Sequence, residues 1–470
     1  MVRFPGIGSI RIALVLLYGI VAAITTAGVL LVVFDMRVEM AGNNLRPFIS
    51  FGDPDEHYIE LEENRSQHYS HLLPAAPVVS AAHSEIYWTD FRGPDRDGRY
   101  SQTPIRTDWP FDGLTPLWHQ PIGGGYASFV VANGLAFTIE QRRDREVVTA
   151  YDVETGRELW NHEWEANFDE ALGGAGPRAT PTWSDGRVYA LGATGFLWCL
   201  DAVTGTVIWH RNILDDSQGR NLTWAMSASP LIVDDLVIVQ PGGRQGWSVV
   251  AYDRHTGDVV WHALDDVQSY TSPMIVTLDG QRQILTVTAS RAIGLAVEDG
   301  TLLWEYPWIT STVPNIAQPI VIDENRIFLS AGYGHGAMVM AVVRNGTQFT
   351  AEPLWRNNRM KNRFGSSVLH EGHIYGLDES ILACMDADTG ALRWKGGRYG
   401  HGQLLLAGEH LVVLTEDGQL VLVRATPDGH EEVGRSEALD GKTWNVPALA
   451  DGLLLVRNSR EMAAFDLRTE

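Results

Sequence analysis

The sequence predicts an all-β protein, an eight-bladed β-propeller of four-stranded antiparallel blades, preceded by one transmembrane helix. Three observations lead to this prediction. An Asp-x-x-Thr-Gly turn recurs along the chain, a tryptophan follows that turn four residues later, and an uncharged apolar stretch of 23 residues lies near the N-terminus. Successive repeat tryptophans are 39 to 52 residues apart. Such a period is typical of propeller blades or of helical arrays.

The apolar stretch covers residues 12–34 and is long enough to cross the ~30 Å hydrocarbon core of a bilayer. Arg3 and Arg11 precede it, so the positive-inside rule places the N-terminus in the cytoplasm and residues 35–470 outside. The small residues within the stretch are followed by further apolar ones, which favours an uncleaved signal anchor over a cleaved signal peptide. We therefore expect a single-pass protein of the inner (plasma) membrane with a periplasmic or extracellular propeller. Residues 1–11 would be cytoplasmic, and they are too few for the output domain of a sensor.

The composition excludes several classes of protein. The chain has 58 acidic and 36 basic residues, and its formal net charge of −22 repels polyphosphates, so we expect no nucleic-acid partner. The only two cysteines, Cys199 and Cys384, exclude a disulfide framework and a cysteine-rich metal site. Residues 35–87 are polar without sustained periodicity and are expected to form a flexible linker. A lead segment at 88–114 and the propeller at 115–470 follow.

The repeated turn has a clear physical basis. Asp and Thr side chains can hydrogen-bond the local backbone, and glycine adopts the positive φ that a tight hairpin needs. The complete copies end at Gly156, Gly205, Gly257 and Gly390. The repeat tryptophans are Trp118, Trp160, Trp209, Trp261, Trp304, Trp355 and Trp394. We expect each tryptophan to lie on the outer strand of its blade and to cover the joint to the next blade.

The number of blades follows from counting sets of short β-rich runs separated by Gly and Asp turns. Eight inner strands begin near Ala127, Ala179, Ser227, Thr271, Ile316, Phe364, Gly402 and Val446. The last set has no outer strand, whereas Leu117–His119 is an outer strand without a blade before it. The N-terminal strand should therefore complete the last blade. Cys199 and Cys384 then fall on equivalent third strands of blades two and six, too far apart for a disulfide.

Several motifs together resemble one known family. The pattern Asp-x-x-Thr-Gly-x-x-x-Trp, preceded by Leu-Asp-Ala or Ala-Tyr-Asp, resembles the repeat of PQQ-like (quinoprotein-type) propellers. Trp88–Gly98 is similar to the motif that opens such propellers, and Arg398–Gln403 and Gly441–Asn445 are similar to further segments of that group. The resemblance covers about 88–470. It implies the propeller fold, and it implies either an enzyme or a scaffold, because the superfamily includes quinoprotein alcohol dehydrogenases and the non-catalytic lipoprotein scaffold of the outer-membrane barrel-assembly machinery.

The sequence departs from both of these relatives at their functional cysteines. The dehydrogenases have an adjacent cysteine pair beside the cofactor, and no two cysteines are adjacent here. The scaffold is lipidated on a cysteine that follows its signal, and no cysteine precedes Cys199. The resemblance therefore carries over the fold and no functional residue.

Motifs that suggest a metal or phosphate site have simpler interpretations. The histidines of His370–His373 are three apart with a glycine between them, which predicts a hairpin and not the zinc-binding helix of metalloproteases. Asp95–Gly98 lacks the later acceptors of a calcium loop, and Gly123–Gly125 lacks the lysine and helix of a phosphate loop. We expect neither a metal site nor catalytic residues. Histidines that follow the repeat tryptophans are expected to face solvent, namely His119, His162, His210 and His262.

One constellation remains a candidate ligand site. The residues that precede each inner strand occupy equivalent places at one rim of the central channel, and most are polar or aromatic. They are Tyr126, Arg178, Trp224, Tyr270, Asn315, Gln318, Arg363, His401, Trp444 and Asn445. Loops at one rim of a rigid ring commonly carry the binding site. The alternative is that these groups only satisfy strand ends and channel water.

We expect a non-catalytic binding or scaffold protein that needs no cofactor and binds a protein or small-molecule ligand at this rim. The alternative is a quinone-dependent dehydrogenase, which needs PQQ, calcium and a carboxylate base. The carboxylates nearest the rim are Glu140 in one blade and the adjacent pair Asp265 and Asp266 in another. Under the alternative, aromatic rim residues would sandwich the quinone, and Arg178 and Arg363 would bind its carboxylates.

Overall fold

The structure is a computed structural model. It describes residues 7–33, 37–41, 46–50, 54–70, 87–310, 315–346 and 348–469. The chain divides into two compact units, Met1–Glu60 and Leu61–Glu470. The first unit contains helix α1 (Ile7–Val33) and the antiparallel hairpin of β1 (Arg37–Ala41) and β2 (Arg46–Ser50).

Helix α1 covers most of the stretch that was expected to cross a membrane. Over the part of the chain that the structure describes, however, no helix combines the length and the apolar character needed to span a membrane. The predicted transmembrane helix at 12–34 therefore has no support from the structure. Part of the expected linker is helical, because α2 covers Pro54–Ser70, where proline begins the helix and good helix formers such as Glu, Leu and Arg follow.

The second unit contains eight sheets arranged as blades. Two strands come first, β3 (Arg99–Tyr100) and β4 (Trp118–Pro121). Blade one contains β5 (Val130–Ala132), β6 (Leu135–Arg142), β7 (Arg145–Asp152) and β8 (Glu158–Glu165). Blade two contains β9 (Thr182–Ser184), β10 (Arg187–Leu191), β11 (Phe196–Asp201) and β12 (Val207–Asn212), and the short helix α3 (Ile213–Ser217) follows. Blade three contains β13 (Leu231–Val233), β14 (Leu236–Val239), β15 (Val249–Asp253) and β16 (Val259–Ala263).

The remaining blades have the same antiparallel order. Blade four contains β17 (Met274–Leu278), β18 (Gln281–Val287), β19 (Arg291–Leu295) and β20 (Leu302–Pro307). Blade five contains β21 (Ile320–Val321), β22 (Arg326–Ala331), β23 (Gly336–Asn345) and β24 (Gln348–Asn357). Blade six contains β25 (Val368–His370), β26 (His373–Asp378), β27 (Ile381–Asp386) and β28 (Leu392–Arg398). Blade seven contains β29 (Gln403–Ala407), β30 (His410–Leu414), β31 (Gln419–Arg424) and β32 (Glu432–Glu437). Blade eight contains β33 (Ala448–Ala450), β34 (Leu453–Arg457) and β35 (Glu461–Asp466).

The ring is closed by the N-terminal strand, as the sequence predicted. Strand β4 pairs antiparallel with β35 and becomes the outer strand of blade eight, with Trp118 opposite Ala464. The inner strands of blades eight and one, β33 and β5, contact each other, as do β5 and β9. Strand β3 adds to β29 as a parallel fifth strand of blade seven. The predicted eight blades of four antiparallel strands are thus confirmed.

The repeat turn joins neighbouring blades through its glycine. Oδ1 of Asp152 accepts hydrogen bonds from the backbone N–H of Thr155 at 2.9 Å and from its hydroxyl at 2.7 Å. Gly156 has a φ of +68°, and a Cβ there would lie 2.6 Å from the Trp118 ring. Nε1 of Trp118 donates to the Val153 carbonyl at 3.0 Å. The tryptophan on the outer strand of one blade therefore covers the turn of the next blade, as expected.

The same arrangement recurs around the ring, with one informative exception. The equivalent tryptophan–glycine contacts are Trp160–Gly205, Trp209–Gly257, Trp261–Gly300 and Trp355–Gly390. Nε1 of Trp394 donates to the Thr426 carbonyl at 2.7 Å. Trp304 instead donates to Oε1 of Gln283 in its own blade, at 2.6 Å. The reason is that blade five replaces the repeat turn by the long hairpin of β23 and β24.

A belt of hydrogen bonds links the inner strands of the first six blades. In each link, a backbone N–H of one blade donates to a side-chain oxygen of the next, at 2.9 to 3.2 Å. The donor–acceptor pairs are Ser128–Thr180, Thr180–Ser229, Ser229–Ser272, Ser272–Gln318 and Gln318–Ser366. Each link satisfies a backbone donor that the short inner strand leaves without a partner. The belt therefore fixes the relative position of neighbouring blades along the channel axis.

The lead segment Trp88–Gly98 crosses the central channel and acts as a plug. Arg96 is 1% exposed and donates to the Pro273 carbonyl of blade four at 2.8 Å. Arg92 is equally buried and donates to the Ser367 carbonyl of blade six at 2.8 Å. Burial lowers the pKa of Arg92 to about 10, still well above neutrality. Both guanidinium groups therefore hold the plug to carbonyls at the starts of inner strands.

The two cysteines occupy the positions that the repeat predicted. Cys199 lies on β11 and Cys384 on β27, the third strands of blades two and six. Both are buried free thiols. Burial raises the pKa of each thiol to about 11. Neither is therefore activated as a nucleophile.

Candidate functional site

The predicted site residues lie in loops at one end of the ring, which we call the rim face. It is formed by the loops that precede the inner strands and by the hairpins between second and third strands, which turn at the same end. Tyr270 is three residues before Pro273, and Arg363 is four residues before Ser367. At about 3.3 Å per residue, the plug therefore lies roughly 10–13 Å further along the channel. The channel is closed below the rim face by the plug.

A continuous row of aromatic rings crosses the mouth of the channel. The Tyr126 and Trp444 rings are 5.5 Å apart, Trp444 and Phe364 are 4.6 Å apart, and Phe364 and His401 are 5.4 Å apart. These four residues precede the inner strands of blades one, eight, six and seven. From its sequence position, Phe364 was expected only to begin an inner strand and not to be part of the mouth. Its position next to Arg363 was the available signal.

Arg178 is held between two aromatic rings. Its guanidinium carbon lies 4.8 Å from the centre of the Phe168 ring and 5.3 Å from that of Tyr126. Its Nη2 donates to the Gly174 carbonyl at 2.6 Å. Burial lowers the pKa of Arg178, although Tyr126 and nearby carboxylates oppose that shift. The Arg178 side chain is only 7% exposed. It therefore stabilises the mouth from the protein interior, through cation–π contacts with the two rings.

A second cation is held beside the predicted His401. Arg363 stacks 4.5 Å from the centre of the Tyr333 ring, and its Nη2 lies 3.2 Å from Oε2 of Glu379. Its Nη1 lies 3.4 Å from Nε2 of His401. Because a guanidinium only donates, Nε2 must accept, so the ring proton is on Nδ1 and faces the Glu379 carbonyl at 3.2 Å. Burial lowers the pKa of His401, which agrees with this neutral form.

One carboxylate fixes two of the predicted residues. Oε1 of Glu416 accepts from Nε1 of Trp444 at 3.0 Å, and its Oε2 accepts from the backbone N–H of His401 at 3.1 Å. Nζ of Lys442 lies 4.9 Å from the centre of the Trp444 ring and 5.9 Å from that of Tyr126. Neither Glu416 nor Lys442 was among the predicted site residues. Lys442 lies inside a motif that had been singled out, whereas no local signal marked Glu416.

The predicted amide residues make contacts with neighbouring backbone. Gln318 accepts from the Ser272 N–H at 3.2 Å and donates to the carbonyl of the same residue at 2.7 Å. Asn445 donates to the Ala127 carbonyl at 3.0 Å, and Asn315 donates to two carbonyls at 2.8 and 3.1 Å. All three are at most 3% exposed. These contacts satisfy strand ends, which was the alternative to ligand binding.

The remaining predicted residues form a separate aromatic pair. The rings of Trp224 and Tyr270 are 6.0 Å apart, and the Tyr270 hydroxyl lies 3.3 Å from the backbone nitrogen of Trp224. Trp224 is half-buried, and Tyr270 is 8% exposed. Burial raises the pKa of Tyr270 to about 12, so its hydroxyl stays protonated. The pair extends the aromatic surface of the mouth to blades three and four.

Backbone strain is concentrated at the rim face. Non-glycine residues with positive φ there include Ala225 at +68°, Leu264 at +67°, Tyr333 at +55° and Met360 at +49°. Such conformations cost on the order of 1 kcal/mol each and are found preferentially at binding sites. At the opposite end, most positive φ values belong to Asn-Gly, Asp-Gly or Glu-Gly hairpins, where they are ordinary. Strained loops of non-glycine residues are therefore a feature of the rim face.

The carboxylates considered as catalytic bases are engaged elsewhere. Glu140 is fully buried at the joint of blades eight and one, where it accepts a hydrogen bond from Tyr151 at 3.0 Å and pairs with Arg142. Asp266 pairs with Arg291 at 2.6 Å, and Asp265 accepts from a backbone N–H at 2.8 Å. Across the described ranges, no group of three or more His, Cys, Asp and Glu side chains is arranged to hold a metal ion. The two arginines that a quinone would need are both engaged: Arg178 lies between the Phe168 and Tyr126 rings, and Arg363 stacks on Tyr333 and pairs with Glu379. We therefore assign no reaction step to a calcium–quinone pair.

The histidine motifs have structural roles. His370 pairs with His373 across the two-residue turn between β25 and β26, as predicted. The expectation that the histidines after repeat tryptophans face solvent was wrong for His162, which is half-buried with its ring 4.4 Å from that of Trp198. Burial lowers its pKa. The tryptophan that covers it comes from the next blade, so the local pattern gave no sign of it.

Comparison with known proteins connects the chain with two kinds of propeller. A family profile described as outer membrane protein assembly factor BamB matches residues 143–396. The outer membrane protein assembly factor BamB of Burkholderia pseudomallei is 24% identical over 404 residues, which cover 73% of this chain and 96% of that protein. The crystal structure of BamB from Moraxella catarrhalis aligns with a TM-score of 0.56 at 15% identity and covers 75% of this chain and 99% of that one.

The second kind is enzymatic. A quinohemoprotein alcohol dehydrogenase of Comamonas testosteroni is 30% identical over 147 residues, which are 29% of this chain and 19% of the enzyme. The chain thus spans only about a fifth of the length of this dehydrogenase. The match to the BamB of Burkholderia pseudomallei extends over nearly that whole protein.

Proposed function

Because the chain belongs to the PQQ-like repeat family described as outer membrane protein assembly factor BamB, we propose that it is a non-catalytic propeller that binds a partner protein at its rim face. The observation that carries this proposal is the aromatic mouth, whose rings are fixed by largely buried charged side chains. Glu416 orients Trp444, and Arg178 fixes Tyr126. A surface held in this way loses little side-chain entropy when a partner binds.

Exposed aliphatic side chains on the same face support a protein partner. Leu172, Val267 and Ile309 are 51%, 56% and 64% exposed, and all three lie in loops that precede inner strands. Together with the half-buried Trp224, they form an apolar rim around the mouth. Exposed apolar patches commonly mark protein-interaction sites, and large aromatic residues are enriched at the energetically important centre of an interface.

Cross-linking at the rim face tests this proposal. A photoreactive phenylalanine analogue in place of Trp224 is expected to form covalent adducts with one partner protein in cells, identified by mass spectrometry. The matched control is Val203, which is 41% exposed in a repeat turn at the opposite end of the ring. Equal labelling from both positions, or adducts from Val203 alone, would contradict a partner at the rim face.

We also propose that residues 12–34 anchor the chain in the inner membrane with the propeller on the periplasmic side. This proposal is supported by the length and charge pattern of the sequence alone. It is independent of the rim face, and it is tested separately by the topology experiment described below.

A dehydrogenase is the second candidate, favoured by the identity to the enzyme of Comamonas testosteroni. Purified protein supplied with calcium and PQQ is expected to show no dye reduction with alcohols or aldoses. Calcium-dependent quinone binding that is lost in Arg363→Ala, together with dye reduction, would replace the scaffold proposal by the enzyme.

A further inference from the structure

Positively charged side chains converge on one hairpin of the rim face, the turn between β26 and β27. Nζ of Lys361 lies 2.5 Å from Oδ1 of Asp378, and Nζ of Lys395 lies 2.8 Å from its Oδ2. Arg363 pairs with the adjacent Glu379 at 3.2 Å. Asp378 is only 1% exposed, so its negative charge is covered by the two lysines.

Three further arginines, at or just after the ends of β24 and β28, have no carboxylate partner among the described residues. Arg398 donates to the Ser380 hydroxyl at 3.1 Å, and Arg356 stacks 5.4 Å from the centre of the Trp308 ring. Within the described residues, no ion pair includes Arg356, Arg359 or Arg398, and all three are exposed. We call the following residues the basic sector: Arg356, Arg359, Lys361, Arg363, Lys395 and Arg398.

The basic sector has a surplus of positive charge in a protein whose formal net charge is −22. At physiological ionic strength the Debye length is about 8 Å, so a ligand at this surface responds to the local charges and not to the distant acidic turns. An extended anionic surface would also meet the exposed carboxylates of other rim-face loops, such as Asp169, Asp265 and Asp440, and would be repelled. The local surplus of positive charge therefore favours a small anionic ligand or a narrow anionic chain over a membrane.

An apolar group borders the same sector. Ile309 is 64% exposed and follows Trp308, the residue on which Arg356 stacks. The cations are also spread over two blades, at the ends of β24 and β28 and in the loop between blades five and six. Several carboxylates along one chain match this spacing better than a single phosphate does.

We propose that the basic sector docks an acidic polypeptide segment, which places an apolar side chain against Ile309. This inference rests on the proposed function, because it names the chemistry of the partner at the same face. Rim charges of this kind steer encounter and set the partner's register. Lys361 and Lys395 hold the hairpin, and the exposed arginines contact the partner.

Binding of a defined probe tests the proposal on the purified full-length chain. The probe is a fluorescein-labelled peptide of alternating glutamate and leucine, and its anisotropy reports binding. Arg398→Glu is expected to weaken binding about tenfold, and addition of Arg359→Glu to weaken it further. The matched control is Arg393→Glu, the same charge change on the same strand. Arg393 is exposed and lies near the opposite end of β28. It is roughly 16 Å from Arg398, which is beyond the Debye length.

The possible outcomes separate this inference from its alternatives. Equal loss in Arg393→Glu and Arg398→Glu would show that only the overall charge matters and would overturn the basic sector. Binding of phosphatidylglycerol vesicles, polyphosphate or a second copy of the chain, without binding of the peptide, would overturn an acidic polypeptide as the partner. If Trp224 still cross-links a protein while the probe does not bind, only the basic sector is refuted. If the probe binds and Trp224 forms no adduct, the proposed function fails instead.

Discussion

A buried carboxyl below the rim face makes the stability of the ring depend on pH. Glu146, on β7, is fully buried at the joint of blades one and two, where its Oε1 accepts from the Ala193 N–H at 2.8 Å. Burial raises its pKa from 4.5 to about 7, against the opposing effects of that N–H and of Arg178. The folded chain therefore binds this proton more tightly than the unfolded chain does.

The pKa difference fixes both the sign and the size of the effect. Below pH 4.5 the carboxyl is neutral in both states and has no effect on stability. As the pH rises towards 7, the unfolded chain loses the proton first, so the free energy of unfolding decreases by about 1.4 kcal/mol per pH unit. The total loss is about 3 kcal/mol, complete slightly above pH 7.

The substitution Glu146→Gln isolates this contribution, because glutamine resembles the neutral carboxyl in shape and can still accept from Ala193. In urea unfolding, the variant is expected to be about 3 kcal/mol more stable than the native chain at pH 8 and less than about 1 kcal/mol more stable at pH 5. The control is Glu163→Gln, on the neighbouring strand, whose side chain is 52% exposed. A stability difference for Glu146→Gln that stays constant from pH 5 to 8 would refute the reasoning.

Three further predictions follow from the ring and its repeats. Cys199 and Cys384 are expected to react fully with a thiol reagent after unfolding without reductant, and a bridge between them would contradict the blade assignment. Trp118→Ala is expected to destabilise the ring by about 3–5 kcal/mol in urea unfolding, because it leaves a cavity over Gly156 where blade eight meets blade one. An effect below about 1 kcal/mol would show that this contact does not close the ring. A reporter fused after Glu470 is expected to be active outside the cytoplasm and deletion of residues 1–40 to release the propeller from membranes, whereas a cytoplasmic reporter would disprove the proposed orientation.

The blade architecture could be predicted because it depends on local chemistry. An Asp-x-x-Thr-Gly turn satisfies its own backbone, so the pattern around Gly156 or Gly390 determines a hairpin whatever the surroundings. Each tryptophan then follows at a fixed spacing. Even the completion of blade eight by β4 followed from counting, since one outer strand was missing at one end of the chain and one was in excess at the other.

The site was predicted less completely because it depends on contacts between distant residues. The position before each inner strand led to Tyr126 and Trp444, which the structure brings together across the mouth. The same position gave Gln318, whose side chain instead reaches the backbone of the neighbouring blade. A difference of one or two residues along the strand decides whether a side chain lies at the mouth of the channel or in the hydrogen-bonded belt between blades. Glu416 was missed because its partners are distant in sequence.

The closure of blade eight has a consequence for the order in which the protein can form. Strand β4 is synthesised before any blade, whereas its partner β35 lies at the end of the chain. Until the last residues are available, the Trp118 strand has no neighbour, and β35 would leave an open sheet edge on an incomplete chain. Open edges promote pairing with other molecules. A nascent or truncated propeller of this kind must therefore be kept apart from its own copies until Glu461–Asp466 has been made and has paired.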